Sequence, residues 1–101
     1  MSLTKRYLKS KPTCKVTFRL PKELAEEAKS AAVVGEFNGW SGKTNPMKRL
    51  KDGAFTATIE LTQGGNYQFR YLLDGRIWKN DDGADGYVPT AFASENSLLR
   101  T

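Results

Sequence analysis

Apolar and polar residues alternate along most of this chain, with the period of two that a strand with one buried face produces. Four segments follow this rule. Their inward residues are Cys14, Val16, Phe18 and Leu20 in the first, Ala31, Val33 and Phe37 in the second, Phe55, Ala57, Ile59 and Leu61 in the third, and Tyr67, Phe69, Tyr71 and Leu73 in the fourth. The pattern predicts four half-buried strands, with the lone cysteine in a buried position rather than acting as a reactive thiol.

Turn signals separate these strands and predict how they connect. Asp52-Gly53, Gly64-Gly65 and Asp74-Gly75 contain residues that adopt a positive φ at little cost, as tight hairpins require. We therefore predict sequential hairpins in an antiparallel meander, then an irregular stretch over residues 81–95 and a last short strand over residues 96–100. Roughly six to eight short strands fit an all-β, immunoglobulin-like antiparallel sandwich.

One short helix is the exception to this all-β pattern. Proline at position 21, early glutamates and apolar residues four apart favour one or two helical turns over residues 21–29.

The third turn decides where Trp78 points. A loop of two residues would pair Tyr71 with Trp78 and send the tryptophan inward, whereas a loop of three residues sends it outward. We predict the three-residue loop, over residues 74–76, because it turns Ile77 inward beside Leu73 and buries both apolar residues.

Length and charge predict the domain organisation. A chain of 101 residues with a net charge of +5 can build one core, and its basic residues crowd the N-terminal end. We expect residues 1–12 to form a basic, solvated and partly disordered extension, and residues 13–101 to form a single immunoglobulin-like domain. A basic tail can also meet a polyanion, but a solvated face is the commoner explanation, so we expect no nucleic-acid partner.

The compartment follows from what the sequence lacks. No segment approaches the ~20 apolar residues of a membrane span, and residues 1–12 lack the apolar stretch of a signal peptide. A single cysteine excludes an internal disulfide. We therefore expect a cytoplasmic protein that does not meet a membrane.

Catalytic chemistry has few candidates. The chain has no histidine, which removes the usual general base, the nucleophile–histidine pairs and most transition-metal sites. Carboxylates are the remaining option, and the candidates are Asp74, Asp81, Asp82, Asp85 and Glu95. Asp74 is explained by its turn and the others share one loop rather than rigid facing elements. We expect no enzyme activity and no catalytic residue.

The acidic loop over residues 81–86 partly matches a calcium-binding loop. Asp81, Asp85 and Gly86 fit its first, fifth and sixth positions, but Gly83 and Phe92 stand where carboxylates are needed. We expect a solvated loop, no metal and no cofactor.

Binding candidates cluster around the two tryptophans, each of which follows a turn signal. Aromatic faces stack on sugar C–H faces, and nearby amides, hydroxyls and a guanidinium supply hydrogen bonds to a polyhydroxy ligand. The candidates are Trp40, Arg70, Trp78, Phe92, Ser94 and Asn96. Structural alternatives remain open: Trp40 as a cover for the end of the sandwich, Arg70 as a solvated strand residue and Phe92 as a core residue.

Three segments together resemble the family 48 carbohydrate-binding modules, the glucan-binding early-set domains of isoamylases, branching enzymes and the AMP-activated kinase β subunit. Residues 35–40 read Gly-Glu-Phe-Asn-Gly-Trp and resemble the family's Gly-x-Phe-Asn-x-Trp. Residues 67–75 resemble its strand ending in Asp-Gly, and residues 95–99 its closing strand. The resemblance covers about residues 31–99. Relative to the kinase domain, one more residue precedes Trp78, Arg70 replaces lysine and Phe92 replaces leucine.

The resemblance implies a non-catalytic module that binds α-1,4-glucan, such as glycogen or starch. It assigns Trp40 and Trp78 as stacking platforms, Arg70 as the basic strand residue, and Phe92, Ser94 and Asn96 as the terminal loop. The alternative is a protein-interaction or accessory domain of a glucan-metabolising enzyme system, without strong sugar binding. A single-strand nucleic-acid binder is a third, less favoured hypothesis.

Overall fold

A computed structural model describes residues 3–25, 27–91 and 94–101 as two antiparallel β-sheets packed face to face. The strands are β1 (Leu3–Tyr7), β2 (Thr13–Leu20), β3 (Ala31–Gly35), β4 (Lys48–Arg49), β5 (Phe55–Thr62), β6 (Asn66–Leu73), β7 (Ile77–Lys79), β8 (Gly86–Pro89) and β9 (Glu95–Arg100). One helical turn, α1 (Lys22–Ala25), follows β2, and a 3₁₀ turn (Glu36–Asn38) follows β3. The predicted all-β, immunoglobulin-like sandwich is confirmed.

Each sheet contains strands that are distant in sequence. The first sheet has the order β1-β2-β5-β4, and the second has the order β3-β6-β9-β8 with β7 paired to β6. The connection from β5 to β6 through Gly64 and Gly65 therefore crosses between the sheets. The predicted hairpin at this point is wrong, because a glycine with positive φ, as at Gly64, serves an inter-sheet connection as well as a hairpin.

The predicted inward residues pack in the core between the sheets. The predicted half-buried character of β3 is wrong, because all five of its residues are buried. Phe18 and Phe69 meet edge to face across the interface with ring centroids 5.1 Å apart, and Phe69 packs in the same way on Tyr71 at 5.7 Å. All three side chains are fully buried. Cys14 is buried beside them, as predicted. Aromatic pairs in this geometry add packing energy beyond the area that they bury.

The N-terminal segment differs from the partly disordered terminus that the charge predicts. Residues Leu3–Tyr7 form β1 and pair along β2, with Leu3 buried opposite Phe18. Lys5 faces the sandwich interior and its ammonium lies 2.6 Å from a carboxylate oxygen of Asp85. An inward lysine breaks the apolar alternation, and for this reason the pattern misses the strand.

The remaining small elements have local causes. The helix at residues 22–25 is a single turn, within the predicted limit, and no helix in the described ranges has the length and apolar character needed to cross a bilayer. Strand β8 lies within the stretch that the sequence predicts to be irregular. Hydrogen bonding to β9 makes this segment a strand, although its own sequence does not predict one.

Candidate functional site

An open groove lies on the outer face of the second sheet. Its volume is about 590 Å³. The described residues that line it are Trp40, Arg70, Trp78, Thr90, Ser94 and Asn96. The fold thus brings together five of the six candidates that the sequence proposes, from three separate segments. The sixth, Phe92, lies outside the residues that the structure describes.

The β6–β7 hairpin sets the direction of Trp78. Its loop has three residues, closed by the Arg76 N–H, which donates to the carbonyl oxygen of Leu73 at 3.0 Å. Leu72 therefore pairs with Trp78, whose side chain is 46% exposed on the outer face. The predicted register is confirmed. The predicted burial of Ile77 is wrong, since it pairs with Leu73 but stays 39% exposed at the open end of the sandwich.

The loop that carries Trp40 is built by the residues before it. A Cβ on Gly35 would lie 2.6 Å from the Gln68 carbonyl oxygen, so only glycine permits this approach of β3 to β6. The Asn38 amide donates to the carbonyl oxygen of Val33 at 2.9 Å and its own oxygen accepts from the Gly35 N–H at 3.1 Å. These bonds fold the loop back against the strand that it leaves.

Trp40 itself has an unusual backbone. Its φ is 61°, next to Gly39 at 65°. A bulky residue with positive φ is an outlier that costs on the order of 1–3 kcal/mol. The Trp40 N–H donates to the Gly35 carbonyl oxygen at 2.9 Å, which holds this conformation, and the indole remains 40% exposed. Phe37, by contrast, points inward and packs on Phe18.

A row of polar side chains crosses the floor of the groove. Arg70 donates from Nε to Asn96 Oδ1 at 2.6 Å and from Nη2 to Ser94 Oγ at 2.9 Å. Asn96 in turn donates to Gln68 Oε1 at 3.0 Å. Thr90 and Ser94 share a hydroxyl hydrogen bond at 2.7 Å, which ties the two ends of the loop together. Arg70 is therefore a fixed donor rather than a freely solvated strand residue.

Asp81 departs from the solvated loop that the sequence predicts. Its side chain is 2% exposed and accepts a hydrogen bond from the Tyr71 hydroxyl. Burial, followed by the charge and the hydrogen bond of Asp81, raises the pKa of the Tyr71 phenol well above its usual value. Ser97 Oγ accepts from the Asp81 N–H at 2.9 Å and donates to Asn80. This cluster fixes the segment from β7 to β8 against β9.

Thr90 lines the groove but is not among the residues that the sequence predicts. It is a small polar residue after a proline, a pattern common in solvated loops, so no local signal distinguishes it. No carboxylate is among the described lining residues. Within the same ranges, no group of histidine, cysteine, aspartate or glutamate side chains could hold a metal ion.

The groove combines two exposed aromatic faces with neutral and cationic hydrogen-bond donors. Such a surface suits a flat ligand with apolar faces and hydroxyl edges. The described lining residues offer no acid–base pair, so binding rather than bond cleavage is the chemistry that they can perform.

Comparison with known proteins also indicates a binding module for carbohydrate. Residues 10–88 match the family model for carbohydrate-binding module 48, the isoamylase N-terminal domain. The chain is similar to a 1,4-alpha-glucan branching enzyme of Photobacterium profundum, with 44% identity over 78 residues that cover 74% of this chain and 11% of the enzyme. The corresponding enzyme of Nocardia farcinica is 34% identical over 71 residues, which cover 70% of this chain and 9% of the enzyme. The chain thus spans only a small fraction of the length of these relatives.

Proposed function

This chain belongs to the carbohydrate-binding module 48 family, and from that membership we propose that its groove binds α-1,4-linked glucan without acting on it. The observation that carries the proposal is that two exposed tryptophans, Trp40 and Trp78, line the same groove as the polar row of Arg70 and Asn96. Two indole faces can stack on successive glucose rings, while the fixed donors meet sugar hydroxyls.

Weak binding is expected from such a surface. The groove is open and shallow, and each stacked ring is worth about 1–3 kcal/mol by analogy with base stacking. The dissociation constant should therefore lie in the micromolar to millimolar range. The similar branching enzymes act on 1,4-alpha-glucan, as their names state, which supports glucan as the ligand class here.

The module that we propose extends over residues 13–101. The family match ends at residue 88, yet Asn96 on β9 donates into the polar row and β9 pairs along β6. A binding site that uses Asn96 therefore needs the last strand. Strand β1 adds an outer edge to the first sheet, whereas the groove residues on strands belong to the second sheet.

A glucan-metabolising enzyme is the second partner that we propose. The relatives contain the matching segment as about a tenth of a longer branching enzyme. The described groove residues supply no catalytic carboxylate pair. We therefore propose a non-enzymatic, accessory role in the cytoplasm, in which the module holds glucan near a separate active site.

Electrophoresis through gels that contain amylose tests this proposal. The expected result is retardation by amylose but not by cellulose fragments, with little change between low and moderate salt, because a neutral ligand releases no counterions. A single-stranded thymidine oligonucleotide is the comparison ligand. Migration that amylose leaves unchanged, or binding of the oligonucleotide that collapses with salt, would favour the alternatives.

A further inference from the structure

Strand β1 leaves one side of the first sheet open. It is the terminal strand in the order β1-β2-β5-β4. The Leu8 N–H donates to the Thr13 carbonyl oxygen at 3.2 Å, which sets the phase of the β1–β2 ladder. Hydrogen-bonded pairs alternate in an antiparallel ladder, so Arg6 and Thr4 also bond to β2. The N–H and C=O groups of Leu3, Lys5 and Tyr7 therefore face the open side.

The same edge carries exposed positive charge, although Lys15 also lies opposite Glu60 of β5. Arg6 lies directly opposite Lys15 on the outer face, and Lys9 and Lys11 occupy the turn between β1 and β2. All four are exposed, and none forms an ion pair with a described residue. Like charges on opposite strands repel each other. A carboxylate placed beside Arg6 would relieve this repulsion.

A second copy of the chain does not fit the edge. In an antiparallel pair of β1 strands centred on Lys5, Arg6 of each copy would lie diagonal to Arg6 of the other on the same face, and the two guanidinium groups would repel each other. Lys5 adds little to this repulsion, because its ammonium is already paired with the Asp85 carboxylate at 2.6 Å. Pairing of this edge with a second copy of β1 is therefore disfavoured, and pairing with an acidic strand is favoured.

We propose that the open edge of β1 binds an extended acidic segment of a partner protein as an added β-strand. Main-chain hydrogen bonds to Leu3, Lys5 and Tyr7 supply the register, and acidic side chains meet Arg6 and the basic turn. The exposed Tyr7 ring gives the added strand an apolar contact. This inference goes beyond glucan binding and uses none of the groove residues.

A synthetic peptide of alternating glutamate and valine, with blocked ends, is the probe. Amide hydrogen exchange is followed by NMR on the full chain, with and without peptide. The expected result is slowing of exchange by at least about tenfold at Leu3, Lys5 and Tyr7, with less than about twofold change at Thr4 and Arg6, which already bond to β2. The same peptide with lysine in place of glutamate should not bind.

Two pairs of variants separate the backbone from the charge. Tyr7→Pro removes one outward N–H without removing a β1–β2 hydrogen bond, whereas Tyr7→Ala keeps that N–H. Peptide affinity should fall at least about fivefold further for the proline. Arg6→Glu should weaken binding at least about fivefold, while Lys48→Glu, an equal change of charge on the opposite edge strand, should change it less than about twofold. If the proline variant does not fold, the second pair decides.

Three results would overturn the proposal. The first is absence of peptide binding at millimolar concentration or equal binding of the lysine peptide. The second is binding of the peptide without protection of the three amides. Equal binding of a thymidine oligonucleotide has the same meaning, because it would identify a surface that binds any polyanion. The third is protection of the same amides by self-association. Glucan binding can fail while all peptide results hold, so the two proposals fail separately.

Discussion

The Arg70 guanidinium is held against Asn96 by a hydrogen bond of 2.6 Å between Nε and Oδ1, across the pair of strands that forms the groove floor. A second bond, from Nη2 to Ser94, fixes the plane of the group. Its Nη1 makes no hydrogen bond to a residue that the structure describes. A ligand hydroxyl can therefore accept from a donor whose conformational entropy is already lost on folding.

Removal of that donor should weaken glucan binding more than it affects the fold. Arg70→Met keeps most of the aliphatic stem and deletes the guanidinium. We expect affinity to fall about tenfold, which is ~1.4 kcal/mol, as measured by calorimetric titration with maltoheptaose. Arg19→Met, the same substitution on the outer face of the other sheet, is the matched control and should leave affinity unchanged. Equal losses in both variants would show that Arg70 contributes only general charge.

Trp78 should contribute to binding rather than to the core. Its side chain is 46% exposed, so Trp78→Ala should lower glucan affinity at least about tenfold. The free energy of unfolding, measured by urea denaturation, should fall by far less than the roughly 3–5 kcal/mol expected of a buried tryptophan. Ile77→Ala changes the neighbouring exposed residue on the opposite face and should leave affinity intact. A core-sized loss for Trp78→Ala would make this tryptophan structural.

The positive φ of Trp40 allows a test of strain. Glycine adopts this conformation freely, whereas alanine does not. Trp40→Gly should therefore be more stable than Trp40→Ala by about 1 kcal/mol in urea denaturation. Both variants should lose at least about tenfold in glucan affinity, because both lack the indole. If the alanine variant is the more stable, Trp40 does not hold a strained backbone.

The buried Tyr71–Asp81 pair should contribute to stability in a pH-dependent way. Tyr71→Phe leaves the Asp81 carboxylate without this donor, at a cost of about 1–3 kcal/mol at neutral pH. Burial and Asp81 raise the pKa of Tyr71 in the folded state. The unfolded phenol ionises near pH 10, so the advantage of the wild type should be complete below about pH 10 and shrink above it. Urea denaturation across that range is the measurement, and a pH-independent difference would contradict it.

The features that the sequence predicts are those that depend on neighbouring residues in the chain. Alternation identifies the buried faces of β2, β5 and β6 because each strand has one face in the core. The direction of Trp78 follows from a single turn, since loop length fixes register. Five groove residues are predicted because they lie in or beside the three segments, residues 35–40, 67–75 and 95–99, that resemble the family.

The features that the sequence did not predict depend on partners far along the chain. Lys5 points inward because its ammonium donates a hydrogen bond to the carboxylate of Asp85, 80 residues later in the chain. Asp81 is buried because the Tyr71 hydroxyl donates to its carboxylate and Ser97 Oγ accepts from its N–H, each from another strand. Strand β6 belongs to the second sheet because it pairs with β3 and β9. The turn before it does not determine this placement. No local periodicity encodes these pairings.

We propose that the groove lined by Trp40 and Trp78 selects α-1,4-glucan. An NMR titration with maltoheptaose, with a cellooligosaccharide as control, measures this selectivity. We predict saturable shifts of both indole Nε1–H signals and of the Arg70 Nε–H signal with maltoheptaose, while amides on β1 and β4 of the other sheet stay unchanged. No shift at millimolar maltoheptaose, or equal shifts with the cellooligosaccharide, would contradict the claim.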